Sequence, residues 1–199
     1  MSLVQAFIGK DFIVVGSDSK ATFSDHISNT YKKIYKLNTT TIIGMTGDIS
    51  SNVRLFNNYI NADFSINEKC NSMSFNEIKE GLFNTFNEMN TTVKDFSLHS
   101  VICGWDGNKM VAYTMFAGDS NKLVNGINEI YATNNDVRII SCGNLRHNET
   151  AIRLGKNINN INILKIKNLF KQVINEGMKF DDTINSNVQF EKIRKGDII

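Results

Sequence analysis

Three residues in the first part of the chain are of types that together suit acyl transfer. Asp18 follows the apolar run FIVV in the stretch GSDSK, Lys33 opens a second apolar run in TYKKIYKLN, and Gly47 ends a third in GMTGD. A carboxylate can hold an ammonium group in place, the ammonium can lower the pKa of a neighbour, and a backbone N–H can stabilise an oxyanion. A lone Asp at a strand end is usually a turn former. The importance of Asp18 therefore depends on whether the fold brings Lys33 and Gly47 to it.

Short β-rich runs place these three residues at strand ends. LVQAFI and FIVVGS are separated by GKD and predict one hairpin, while KIYKL and TTIIGMTG are separated by NTT and predict a second. Gly47 then lies directly before a helix, which the spacing of apolar residues predicts over Ile49–Ile60. The carboxylate, the ammonium and a backbone N–H at a helix entrance can thus converge on one sheet edge.

The rest of the chain alternates between helical and strand patterns. Apolar residues recur on one face from Ser74 to Val93, and Ser74 with Glu77 forms a capping box. A weaker helix is predicted over Glu149–Leu154 and a clear one over Ile166–Met178. SVICGW and MVAYTMF predict a hairpin around DGNK, NEIYAT and VRIISCG predict a strand pair around NND, and NVQFEKI is the last strand.

This order of elements predicts an α+β fold, because a doubly wound parallel sheet needs strands that alternate with helices. We expect two antiparallel sheets packed face to face in a single domain over residues 1–199. The helices over Ile49–Ile60 and Ser74–Val93 should cover one outer side of this pair. The helix over Ile166–Met178 should cover the other.

The composition excludes several classes of function. The formal net charge is +2 and the basic residues are scattered, so the chain lacks the basic stripe of a nucleic-acid-binding protein. No stretch approaches the roughly 20 apolar residues of a membrane-spanning helix. The opening MSLVQAFIGK lacks the features of a secretory signal peptide. We therefore expect no nucleic-acid partner, no membrane, and a reducing, cytoplasmic compartment.

The cysteines and histidines lack the spacing of a metal site. Cys70, Cys103 and Cys142 form no CxxC pair, and the three histidines stand apart from one another. We expect free thiols, histidines at the surface, and neither a metal nor another cofactor.

The order of these motifs resembles that of proteasome β-type subunits, which are N-terminal nucleophile hydrolases. The resemblance is carried by GKDFIVVGSDSKAT, TYKKIYKLNTTTIIGMTGD, RLFNNYI, SVICGWDGNKMVAYTM, SCGN and NVQFEKIRKGDI. It covers most of the chain, with a weak stretch over Gly118–Asn135 that is longer than the family usually has. It implies a four-layer α/β/β/α sandwich, which agrees with the order of elements above.

The resemblance also implies a set of site residues. Active members use an N-terminal Thr whose own α-amine is the base, and the assisting Asp, Lys and Gly fall on Asp18, Lys33 and Gly47. The family's spacing from Asp18 leads back to Ser2 as the nucleophile position. This sequence departs from the active pattern, since it has Ser in place of Thr and Met1 before it. While Met1 remains, the nitrogen of Ser2 is an amide and cannot accept a proton.

This departure favours a non-catalytic β-ring subunit of a 20S proteasome core particle, with a structural role in the degradation chamber. The opening of the chain and the hairpin CGWDGNK resemble the silent beta type-2 branch of the family more than its active branches. The implied partners are other α and β subunits in stacked heptameric rings. The implied location is the cytoplasm, and the nucleus if the source is eukaryotic. The stretch Gly118–Asn135 is then a candidate ring contact.

Three alternatives stay open at this point. If an aminopeptidase removes Met1, Ser2 becomes the nucleophile of a serine-type peptidase similar to bacterial homo-oligomeric proteasome-like complexes. The chain can also have the fold without either role, or be a free-standing binding module, which a monomeric state would favour. The intact mass of the native protein separates a chain that begins at Met1 from one that begins at Ser2.

Overall fold

The computed structural model describes residues 2–47, 58–61, 65–92, 97–118, 129–133, 136–156, 158 and 161–198. The strands within these residues are β1 (Val4–Ile8), β2 (Phe12–Asp18), β3 (Ala21–Thr22), β4 (Ile27–Ser28), β5 (Ile34–Lys36), β6 (Thr41–Gly47), β7 (Ser97–Trp105), β8 (Met110–Gly118), β9 (Ile130–Tyr131), β10 (Arg138–Cys142) and β11 (Val188–Arg194). The helices are α1 (Phe75–Thr92), α2 (Leu145–Gly155) and α3 (Ile163–Gly177), and short 3-10 turns span Glu68–Ser72 and Lys195–Asp197. Within the described ranges, none of the helices is long and apolar enough to cross a membrane.

Two antiparallel sheets form the centre of the molecule. One has the strand order β10-β1-β2-β11, and the other has the order β5-β6-β7-β8-β9. The two hairpins predicted at the start of the chain both form, since Val4 pairs with Ser17 and Lys36 pairs with Ile42. The first hairpin supplies the central strands of one sheet, and the second supplies an edge of the other.

The two sheets pack face to face through an apolar layer. Val4 of β1 and Val15 of β2 face this layer, and the facing sheet contributes Ile34, Ile42, Val101, Cys103, Met110 and Ala112. Gly44 allows the sheets to approach, because a Cβ placed on it would lie 2.6 Å from Val4 Cγ1. The absence of a side chain at Gly44 therefore sets the spacing at this end of the sandwich.

Helix α1 covers the outer face of the five-stranded sheet. The predicted capping box forms, because the Ser74 N–H donates to Glu77 Oε2 at 2.7 Å and the Glu77 N–H donates to Ser74 Oγ at 3.2 Å. Ile78, Leu82 and Phe86 of this helix are fully buried against that sheet. One face of the helix thus forms a second apolar layer.

Helices α2 and α3 cover the outer face of the four-stranded sheet. Asn144 and Asn162 cap their N-termini, as each side chain accepts a hydrogen bond from a backbone N–H of the first turn. The third apolar layer lies between these helices and the sheet, and its members include Leu3, Phe7, Val14, Ala151, Ile166, Phe170 and Val173. The order of layers is therefore α/β/β/α.

The predicted fold class and the placement of the later helices are confirmed. The helices predicted over Ser74–Val93 and Ile166–Met178 lie on opposite outer sides, close to their predicted bounds. The weak helix predicted over Glu149–Leu154 is longer and begins at Leu145. The helix predicted over Ile49–Ile60 falls mostly outside the described residues, as does most of the proposed contact stretch after Gly118.

One predicted strand pair is wrong. NEIYAT and VRIISCG do not pair with each other, because β9 pairs with β8 and β10 pairs with β1. In the first of these pairs Tyr131 lies opposite Val111, and in the second Cys142 lies opposite Val4. The connection between β9 and β10 carries the chain from one sheet to the other, so two β-rich runs that are adjacent in sequence do not form a hairpin.

We predict that Gly44→Ala lowers the free energy of unfolding by about 1–3 kcal/mol, because its methyl group overpacks the layer between the sheets. Gly196→Ala is the matched control, since a Cβ there would meet nothing within 4 Å, and we expect it to change stability by less than about 0.5 kcal/mol. Denaturant unfolding measures both. In the double variant Val4→Ala/Gly44→Ala, the loss of free energy of unfolding should be smaller than the sum of the two single losses. Strictly additive losses would contradict the overpacking explanation.

Candidate active site

The structure brings Asp18 and Lys33 into direct contact. Asp18 is the last residue of β2 in one sheet, and Lys33 directly precedes β5 in the other. Lys33 Nζ lies 2.8 Å from Asp18 Oδ2, and the two side chains are 3% and 0% exposed, respectively. The predicted contact is confirmed, and it is an ion pair that bridges the two sheets out of reach of solvent.

Backbone groups hold the Asp18 carboxylate on its other sides. Asp18 Oδ1 accepts a hydrogen bond from the Leu3 N–H at 2.8 Å, and Oδ2 accepts one from the Lys20 N–H at 2.8 Å. Because Leu3 follows Ser2, the carboxylate ties the start of β1 to the end of β2. Ser2 is therefore one residue away from a group bound to the ion pair.

Burial determines the electrostatics of this pair. Burial lowers the pKa of Lys33, and although the charge and hydrogen bond of Asp18 and the charge of Asp181 oppose the effect, the pKa stays below its ordinary value. An unpaired charge is costly in a protein interior, so each partner requires the other. A buried lysine of this kind, with a specific charged partner at the mouth of a strand, is a candidate functional group.

Ser2 lies at the start of this constellation. Its side chain is partly buried, and its hydroxyl donates to the Lys20 carbonyl at 3.3 Å. On the other side, Gly143 packs against the backbone of Ser2: a Cβ on Gly143 would lie 2.3 Å from the Ser2 carbonyl oxygen, and its φ is +120°. Both the close approach and the left-handed φ require glycine. The loop SCGN is thereby placed beside Ser2.

Gly47 ends strand β6 with a backbone conformation that also requires glycine. Its φ is +112°, and a Cβ there would lie 2.1 Å from the Ser97 carbonyl oxygen. The Met45 N–H donates to the Lys33 carbonyl at 3.0 Å. Since alternate N–H groups of a strand point the same way, the N–H of Gly47 is directed toward the side on which Lys33 lies. This orientation suits a donor to an oxyanion.

A loop that follows α3 also contacts the site, and sequence reasoning missed it. Asn185 Oδ1 accepts from the Ser19 N–H at 3.1 Å, and Lys20 Nζ donates to the Asp182 carbonyl. These bonds hold the residues that directly follow Asp18. In a chain so rich in asparagine, nothing in the pattern around Asn185 singled it out.

The expectation that the histidines lie at the surface is wrong for His147. It is fully buried, and its Nε2 lies 2.8 Å from Asp181 Oδ2. Burial raises the pKa of Asp181, but hydrogen bonds from Thr183 and from His147 outweigh burial, so the pKa is lowered overall. The α2 helix begins earlier than predicted and carries His147 inward with its first turn.

The remaining potential ligands do not gather into a site. The three cysteines are free and buried, as expected, and burial raises the pKa of Cys142 to about 12. Across the described part of the chain, no group of three or more His, Cys, Asp or Glu side chains is placed to hold a metal ion. The groups described around Ser2 are a hydroxyl, a buried charge pair and backbone N–H groups, a set that suits nucleophilic acyl transfer.

Comparisons with known proteins identify a family and a fold. The model of the proteasome subunit family matches residues 3–127, a range that includes Asp18, Lys33 and Gly47. The fold is similar to that of eukaryotic HslV from Trypanosoma brucei, with a TM-score of 0.62 and 13% identity over 96% of this chain and 99% of that chain. It is also similar to the Anbu complex of Pseudomonas aeruginosa, solved as a helical assembly, with a TM-score of 0.66 and 15% identity over 96% of this chain and 81% of that chain. No curated protein sequence matches the chain.

We predict that Asp18→Asn lowers the free energy of unfolding by about 3–5 kcal/mol, because it leaves the buried Lys33 ammonium without a counter-charge. Asp136→Asn is the matched control: Asp136 pairs with Arg138, and both side chains are 55% exposed. We expect this control to lose less than about 1 kcal/mol. Denaturant unfolding measures both variants. If Asp18→Asn and Asp136→Asn lose the same free energy of unfolding, the buried pair does not have the importance assigned to it.

Asp181 should make the stability of the protein sensitive to acid. Its pKa in the folded protein is lowered below the ordinary value of 3.8, so the unfolded chain binds the proton more readily than the folded one. The Asp181 carboxylate therefore stabilises the folded protein fully at pH values above its pKa in the unfolded chain. This stabilisation is lost as the pH falls through its pKa in the folded protein.

In Asp181→Asn, the stability difference from the parent should therefore shrink as the pH falls below about 4. Denaturant unfolding at a series of pH values measures this difference. A difference that stays constant down to the lowest pH at which both proteins fold would show that the charge of Asp181 does not contribute.

Proposed function

Because this chain belongs to the proteasome subunit family, we propose that it is a peptidase subunit of a proteasome-like assembly, with Ser2 as nucleophile once Met1 has been removed. The observation that carries the proposal is the buried ion pair between Lys33 and Asp18, because the Asp18 carboxylate also binds the N–H of Leu3, the residue that follows Ser2. The substrate class is the peptide bond of unfolded or short polypeptides that enter the chamber of the assembly.

A buried ion pair is a poor device for stability alone. Its desolvation cost offsets much of its attraction, and well-packed apolar side chains often do as well or better. Here the pair joins two sheets beside a serine hydroxyl, and the pKa of its lysine is lowered. Perturbed groups of this kind are concentrated at functional sites, which supports a chemical role for Lys33.

The proposed reaction uses the α-amine that removal of Met1 exposes on Ser2. The Ser2 hydroxyl oxygen attacks the carbonyl carbon of the scissile peptide bond, and its proton passes to that α-amine. The C–N bond then breaks, the leaving amine takes the proton back from the α-ammonium, and an ester to Ser2 remains. Water attacks this ester in the same manner, releases the new carboxyl end and restores the hydroxyl.

Lys33 and Gly47 assist this reaction through charge and orientation. The Lys33 ammonium disfavours a second positive charge nearby, so it keeps the α-amine of Ser2 in its neutral, basic form. In this proposal the N–H of Gly47 donates to the oxyanion. Asp18 holds the ammonium at 2.8 Å and at the same time fixes the Leu3 amide.

A second candidate is a silent β subunit of a 20S core particle of the beta type-2 kind, in which the pair is structural. One observation favours it: the Ser2 hydroxyl donates to the Lys20 carbonyl, an acceptor that does not activate it as a nucleophile. In that role the chain contributes shape to a ring of different α and β subunits. In the peptidase role, copies of this chain can form the ring. Both candidates place the protein in the cytoplasm.

The first test is the intact mass of the protein as isolated, together with cleavage of a panel of fluorogenic peptides by the assembled protein. We expect a chain that begins at Ser2, activity that is lost in Ser2→Ala and retained in part in Ser2→Thr, and a loss of about 100-fold or more in Lys33→Ala. Lys10→Ala is the control, because Lys10 is exposed and should leave activity unchanged.

The outcomes separate the candidates. A chain that retains Met1, in an assembly whose activity is unchanged by Lys33→Ala, would reject the peptidase role and support the silent subunit. A protein that elutes as a monomer and cleaves no peptide would reject both.

A further inference from the structure

Three side-chain amides at alternate positions hold the segment of chain that leads to Lys33. Asn185 and Asn187 donate to the carbonyl of Asn29 at 3.3 and 3.1 Å. Gln189, the next residue in this alternation, donates from Nε2 to the carbonyl of Tyr31 at 2.9 Å. Asn185 and Asn187 precede β11 and Gln189 is its second residue, so the three amides line the run of chain that enters this strand.

Gln189 differs from the other two amides because it also contacts the backbone of Lys33. Its Oε1 accepts from the Lys33 N–H at 3.3 Å, so its amide spans Tyr31 and Lys33 as a peptide group of a neighbouring strand would. On the other side, the Lys33 carbonyl accepts from the Met45 N–H. The backbone at Lys33 is thus held from both sides before its side chain extends to Asp18.

The same strand also fixes the other half of the ion pair. In the pairing of β11 with β2, Val188 lies opposite Asp18 and Gln189 lies opposite Ser17. Gln189 belongs to the four-stranded sheet, whereas the backbone it binds leads into β5 of the facing sheet. Strand β11 therefore sets where Asp18 and Lys33 stand relative to each other, through its backbone for one and through the Gln189 amide for the other.

We propose that Gln189 is a positioning residue for the Lys33 ammonium. The proposal rests on the peptidase function for its kinetic consequence, but its structural part holds for a silent subunit as well. Without the amide, the segment 31–33 loses its anchor on the β11 side, and the ammonium moves relative to Asp18 and to the α-amine of Ser2. Since that ammonium sets the protonation of the amine, the loss should appear in the pH dependence of catalysis.

Gln189→Met tests this, because it keeps a long unbranched side chain and removes both hydrogen-bonding groups. Asn187→Leu is the matched control, since it removes an amide that binds the same segment at Asn29 and not at Lys33. In Gln189→Met we expect kcat to fall by about two- to tenfold, the equivalent of one net hydrogen bond, with KM little changed. The pH profile of kcat/KM should shift, and in Asn187→Leu it should not.

A second measurement does not depend on activity. Pulse acetylation followed by mass spectrometry reports how fast Lys33 reacts relative to the exposed Lys10, and alkylation of the buried Cys103 thiol reports opening of the whole fold. Gln189→Met should raise the relative labelling of Lys33 by about two- to tenfold without raising that of Cys103. Asn187→Leu should raise neither.

The results are separable from those that test the peptidase function. If the parent protein cleaves nothing, the peptidase proposal fails, and the labelling of Lys33 still decides the role of Gln189. The proposal is overturned if Gln189→Met and Asn187→Leu show the same labelling of Lys33 and the same pH profile. Gln189 would then be only a structural residue.

Discussion

The buried carboxylate of Asp18 is the interaction on which the local structure depends. It accepts hydrogen bonds from the backbone of Leu3 and of Lys20, and it contacts the ammonium of Lys33 at 2.8 Å. One side chain with no exposure thus joins the start of β1, the end of β2 and the entry to β5. Since an unsatisfied buried charge is costly, the loss of one of these partners destabilises the others. The set of contacts therefore fixes how the two sheets meet at this edge.

Two glycines allow close backbone approaches around the site that contains the Asp18 carboxylate. Gly143 lets the SCGN loop lie against the carbonyl of Ser2, and Gly47 lets the end of β6 lie against the carbonyl of Ser97. Each position combines a left-handed φ with an approach that leaves no room for a Cβ. The site is therefore built as much from the absence of side chains as from charged groups.

Local features of the fold could be predicted from residue patterns, whereas long-range contacts could be predicted only where the resemblance to a known family implied them. The capping box of Ser74 and Glu77 and the first hairpins depend on residues close in sequence, so their patterns are informative. The meeting of Asp18 with Lys33 was predictable from the order of motifs that resembles a known family. The split of NEIYAT and VRIISCG between sheets, and the burial of His147 against Asp181, depend on contacts between distant parts of the chain.

The dependence of the ion pair on strand β11 has a consequence for biosynthesis. A ribosome makes the chain from its N-terminus, so Asp18 and Lys33 are synthesised long before the residues of Val188–Arg194 that pair with β2 and anchor the segment ahead of Lys33. A nascent chain that has not yet reached Gln189 lacks the strand that sets the two charges in place. The arrangement at Ser2 is thus completed only after translation has passed β11, so the burial of the ion pair is a late event in the making of this chain.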